Sequence, residues 1–156
     1  MPNYLSNRGK LLLMQGDWDD VAAGDIFLGL IVNTSAATPA AFDTQAEINP
    51  LNFVADLTAL TGFVEASWAG YARTALTRTA ASEDDTNNRV NMDAADVVFA
   101  SAAVVTTYTH CIGGFIFKTG ASDAARPLIS VALWSAAVAL NGSSLTVGIA
   151  DAYRAS

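Results

Sequence analysis

Short apolar stretches divided by polar turns dominate this chain, and few recur at helical spacing. Residues 26–32 (IFLGLIV) are apolar on both pleat faces, as an inner strand covered on two sides requires. Residues 112–118 (IGGFIFK) predict a second strand, whose paired glycines imply a bulge or a close backbone approach. A third follows Arg126-Pro127 over 128–134. Leu145, Val147 and Ile149 alternate cleanly, and Asn141-Gly142 before them is the strongest hairpin signal present, because both residues accept positive φ. That signal predicts a hairpin joining 133–140 to 145–149.

The middle of the chain adds more β pattern. Residues 68–79 are rich in Thr, Tyr and Trp and predict a long strand. The run Ser82-Glu83-Asp84-Asp85-Thr86-Asn87-Asn88-Arg89 predicts a turn, since Asp and Asn bond their own backbone and tolerate left-handed conformations. Strand pattern resumes at 90–92 and 97–99, broken by Asp93-Ala94-Ala95-Asp96, and residues 100–109 form a further mixed β segment.

Helical spacing is confined to two places. Residues 4–15 predict a short helix with Leu5, Leu12 and the 11–14 cluster able to share a face, and Gly16 terminates it. Residues 50–57 can form about two turns, with Phe53, Val54 and Leu57 on one side. Asn33 to Asn49 is a long polar and Ala-rich excursion, and loops of that length usually carry a contact or an element of their own. Residues 34–64 therefore read as a surface arm reaching a neighbour, or as a lid packed over one open end of the sheet. The class expected is mainly β: an antiparallel β-sandwich, with jelly-roll closure one form of it, a short N-terminal helix, and a short helix in the 50–60 region. The N-terminal helical segment takes residues 1–16, and a single sandwich domain with its 34–64 excursion takes 17–156.

Composition sharpens this picture. Hydrophobic residues make up 52% and charged residues 15%, which argues against disorder. So many small residues with so little charge suggest that a partner covers part of the surface. A net charge of −7 with only eight Lys and Arg disfavours nucleic acid as that partner. Cys111 is alone, so no internal disulfide is expected. Residues 1–10 lack the apolar core of a signal peptide, and no window approaches the ~20 apolar residues of a membrane span, so synthesis in a reducing cytoplasm and no membrane partner are expected.

Chemistry-bearing residues are few. Asp84, Asp85 and Asn87 in the acidic run are hard oxygen ligands, but their spacing does not follow a calcium loop, so a solvated turn is favoured over a metal site. His110 and Cys111 point to opposite faces of a strand and form no nucleophile–base pair, and there is no second His. No phosphate-cradling glycine loop and no G-x-S-x-G turn is present. No enzyme and no cofactor is expected. Trp68, Tyr71, Phe115, Phe117 and Trp134 suit a sheet core better than a sugar platform. Trp18, in the turn Asp17-Trp18-Asp19-Asp20, is either an exposed anchor or, the favoured reading, folded back onto its own domain.

The order of GYAR-x-x-L at 70–76, EDD-x-NNR at 83–89, DA-x-DV-x-F at 93–99, IGGFIFK at 112–118 and PLIS at 127–130 resembles a family of small structural proteins of tailed bacteriophage virions. The segment from Lys10 to Ser35 fits the same family, whose members begin with a short helix and then a strand ending in a polar turn. The resemblance spans about residues 10–149. It implies a capsid cement, or decoration, protein on the outside of the head, made in the host cytoplasm, with the major capsid protein and its own copies as partners in a homotrimer. Tyr4, Leu5, Trp18 and Phe53 are its interface candidates. A tail or head-vertex fibre component and a carbohydrate-binding β-sandwich module are the alternatives.

Overall fold

The computed structural model describes residues 3–19, 24–86, 89–104 and 107–155. Strands hold 40% of the chain and helices 15%, and every ladder is antiparallel, so the molecule is mainly β as expected. In chain order the strands are β1 (Asn3–Leu5), β2 (Ile26–Asn33), β3 (Thr74–Ala75), β4 (Ser82–Asp84), β5 (Arg89–Phe99), β6 (His110–Lys118), β7 (Leu128–Ala139) and β8 (Leu145–Ala155). Among the described residues three α-helices accompany them: α1 (Asn7–Met14), α2 (Gln45–Ile48) and α3 (Val54–Thr58). One sheet has the order β1-β7-β6-β2-β3, the other β4-β5-β8.

The two sheets share a core. Leu28, Leu30 and Val32 of β2, Cys111 and Ile116 of β6 and Ile129 of β7 meet Ala94, Val97 and Phe99 of β5 and Leu145, Val147 and Ile149 of β8. Trp68 and Tyr108 fill the same layer. The alternating residues of the five-stranded sheet face the other way. Ile31, Ile112, Phe115, Phe117, Leu128, Val131 and Leu133 lie under Phe42, Ile48, Leu51, Val54 and Leu57. Residues 34–64 are therefore a lid over the outer face of the large sheet, not an arm. Phe42, Ile48, Val54 and Leu57 are 0% exposed, and this third layer explains why β2 and β6 are apolar on both faces.

Local chemistry accounts for other departures from the expected pattern. The N-terminal helix is shorter than 4–15, because residues 3–5 pair with β7 as an edge strand. Ser6 then caps α1: its Oγ accepts from Gly9 N at 2.8 Å and donates to Leu128 O at 2.6 Å. A methyl on Gly9 would sit 2.1 Å from the Ile129 carbonyl oxygen, so this glycine lets the helix lie against β7. Only residues 74–75 of the expected strand 68–79 form one, since the chain turns at Tyr71 N to Trp68 O and sends both rings into the core.

The 93–96 stretch does not break its strand. β5 runs through it with register shifts on either side of Ala94, which absorb the two exposed aspartates. Residues 100–104 are a turn region instead of a strand, tied to the 141–143 turn by Ala102 N to Ser143 O and Gly142 N to Ala102 O. Gly113 lies beside a bulge, where a methyl would come within 2.4 Å of Ala132 O. Asn141-Gly142 is a turn with Gly142 at φ +85°, yet it makes no hairpin. β7 and β8 belong to different sheets, so this turn carries the chain across the sandwich.

Candidate functional site

The four interface candidates do not converge. Tyr4 and Leu5 alternate on β1: Tyr4 packs against the lid-side core and Leu5 against the core between the sheets. The Tyr4 hydroxyl donates to Asp43 O at 2.7 Å, and Gln45 Nε2 donates to Leu5 O at 2.7 Å, so both residues hold the lid. Phe53 is half-buried at the start of α3 and bridges to Pro127. Asp56 caps that turn, its Oδ2 accepting from Asn52 N and Phe53 N. Trp18 is 1% exposed and its Nε1 donates to Thr79 O at 3.0 Å. It is folded back, and the exposed-anchor reading is overturned.

Among the described residues, no group of three or more His, Cys, Asp and Glu side chains converges as a metal site. Asp85 is exposed beside β4, and Asn87 lies outside the described residues, as does the side chain of Asp84. The Cys111 thiol is buried, donates to Ile31 O at 3.4 Å, and is pushed up to about 12 by desolvation, so it stays a thiol and not a nucleophile. His110 is engaged with Thr109 Oγ1 at 2.8 Å through Nδ1.

The five aromatics do not line one surface. Phe115 and Phe117 stack 5.6 Å apart under the lid, while Trp68 and Tyr71 meet edge to face at 5.2 Å between the sheets, and Trp134 is half-buried against the same inter-sheet core. They are core, and no sugar platform forms from them.

Two charged clusters escaped the sequence reading. Arg73 makes a two-pronged contact with Glu65, Nε to Oε1 at 2.8 Å and Nη2 to Oε2 at 2.7 Å, and a second with Asp123 at 2.5 and 3.0 Å. Its guanidinium also lies 5.1 Å from the Phe117 ring centre. These bonds raise Arg73 further and hold Asp123 at about 2. Tyr71 donates to Glu65 Oε1 and accepts from Leu30 N, and burial beside that carboxylate raises its hydroxyl well above the usual range. In the second cluster Arg78, 8% exposed, reaches Asp25 at 2.8 Å and Asp17 O at 2.8 Å, while Lys118 meets Asp17 at 2.5 Å. Apart from Glu65, eight positions before Arg73, the partners lie 50 to 101 positions apart and leave no local signal. Both clusters brace the fold.

Several large apolar side chains are exposed. Met14 is 86% exposed and Leu11 43%, one helical turn apart on α1. Val98 on β5, Val104 in the turn region and Val138 on β7 are exposed as well. No helix among the described residues is long and apolar enough to cross a membrane. No family model, no curated protein and no solved structure matches the chain.

Proposed function

We propose that this chain is a non-enzymatic virion structural protein of a tailed bacteriophage, a cement protein that binds the major capsid protein on the outside of the head. Its motif order resembles that of such proteins. The observation that carries the reading further is the Leu11–Met14 ridge. α1 is fixed to β7 through Ser6 and Gly9 on one side and presents exposed apolar side chains on another. An apolar ridge on a rigid support suits attachment to a second protein surface.

The ionisable and nucleophilic groups with resolved contacts serve the fold, which favours a structural over an enzymatic role. In the proposed mechanism each copy bridges adjacent capsid subunits, and many weak contacts add through multivalency. Homotrimers would match the points where three capsomers meet. Mass spectrometry of purified virions tests this. A copy number comparable with that of the major capsid protein supports cement. A count in keeping with a tail or vertex supports the fibre alternative. Absence from virions, together with micromolar hits in a glycan screen, reverses the reading in favour of a carbohydrate module.

A further inference from the structure

Charge is distributed unevenly along the sandwich. Residues 26–42, 97–117 and 127–150 contain no Asp, Glu, Lys or Arg. At one end of the large sheet Asp25 stands before β2, Lys118 closes β6, and Asp123 and Arg126 lie in the connection to β7. At the other end, where β2, β5 and β7 finish and β6 and β8 begin, hydrogen bonds tie the uncharged segments together. Thr109 N donates to Asn33 O and its Oγ1 to Thr34 O, Leu140 N donates to Thr109 O, and Ala102 N to Ser143 O. Glu65, opposite Ile31, has its carboxylate held by Arg73. At this uncharged end Val104 is 50% exposed and Val138 41%, and Ser35, Ala36, Ala139 and Ser144 are exposed too.

We infer that this uncharged end is where copies of this chain meet, each presenting the same surface about a common rotation axis. Charge chooses the occupant. A chain of net charge −7 repels its own copies, so they associate where no like charges oppose each other. A partner of a different kind would be met by opposite charge, which sets register and speeds encounter, and these segments carry none. Exposed valine, alanine and serine suit an identical copy, because apolar atoms and hydroxyls serve equally as either half of a contact. The contact is separate from the α1 ridge, which is fixed to β7 at Leu128 and Ile129, toward the charged end. It gives the trimer proposed above its surface and does not depend on the capsid reading.

Sedimentation velocity of the intact chain across a concentration series tests the contact. The expected result is a closed species of more than one copy, which the double variant Val104→Asp, Val138→Asp reduces to a single copy with the far-UV circular dichroism unchanged. Both side chains are exposed in the single chain, so neither substitution buries a charge there. The control Leu11→Asp, Met14→Asp adds the same charge on α1 and keeps the wild-type mass. Salt gives a reading independent of any variant. From about 0.1 to 1 M salt the association holds or tightens, because screening removes the repulsion between like-charged bodies, whereas a contact built from ion pairs loosens. A dimer supports the contact and contradicts only the trimer. The inference is overturned by a monomer at every concentration, by a folded Val104/Val138 variant of unchanged mass, by a control that dissociates as that variant does, or by association that weakens with salt.

Discussion

Asp123 shows how a single side chain can brace distant parts of this fold. It accepts from Arg73 and from Arg126 Nη1 at 2.5 Å, joining the turn before β7 to the segment before β3. Because its folded value of about 2 lies below the ordinary 3.8, it contributes stability that is complete above that ordinary value and is lost as pH falls toward 2. Thermal melts between pH 5 and pH 2 should therefore show the wild type losing an advantage over Asp123→Asn, with the two converging at the acid end. Parallel curves across the range would refute this role. Cys111 makes a second residue-scale case. Its buried thiol should resist an aromatic disulfide reagent in the folded protein and react fully once denatured. The burial of Trp18 was legible in the sequence, whereas the expected strand began at Ile112, one residue past Cys111. The pairing of Cys111 with Ile31 O, and those of Arg73 and Arg78, were not legible, because such contacts depend on which strands become neighbours.

The elements were legible wherever a local rule suffices. Apolar character on both faces identified β2, the paired glycines marked the irregular part of β6, and the φ demand of Asn141-Gly142 located a turn. What that turn joins was not legible, since positive φ permits a reversal without choosing the sheet that receives the next strand. The lid had the same ambiguity. Phe53, Val54 and Leu57 showed a helical stripe, but a stripe does not name its cover. The structure assigns Val54 and Leu57 to the outer face of the five-stranded sheet. Leu57→Ala should therefore cost about 2–5 kcal/mol, as truncating a buried leucine does. Equilibrium urea unfolding measures it. A loss under about 0.5 kcal/mol, as at a surface site, would mean that the lid does not pack as described.

At the scale of the molecule, a three-layer body carries an exposed apolar pair, Leu11 and Met14, on α1. The integration of residues 3–14 into that body changes how attachment must be tested. Removing residues 1–15 would strip β1 from β7, delete the Ser6 cap and free the lid contacts of Tyr4 and Leu5. A truncation would thus confuse unfolding with loss of binding. The surface pair Leu11→Asp, Met14→Asp separates them, since both side chains face solvent. The most direct measurement adds wild-type protein or this double variant to heads lacking it, then follows DNA release under heat and osmotic shock. Wild type should bind and protect, while the variant, with an unchanged melting temperature of its own, should leave the heads as fragile as bare ones. Equal protection by both proteins would contradict the α1 ridge as the attachment surface, and failure of wild type to bind would contradict the cement role itself.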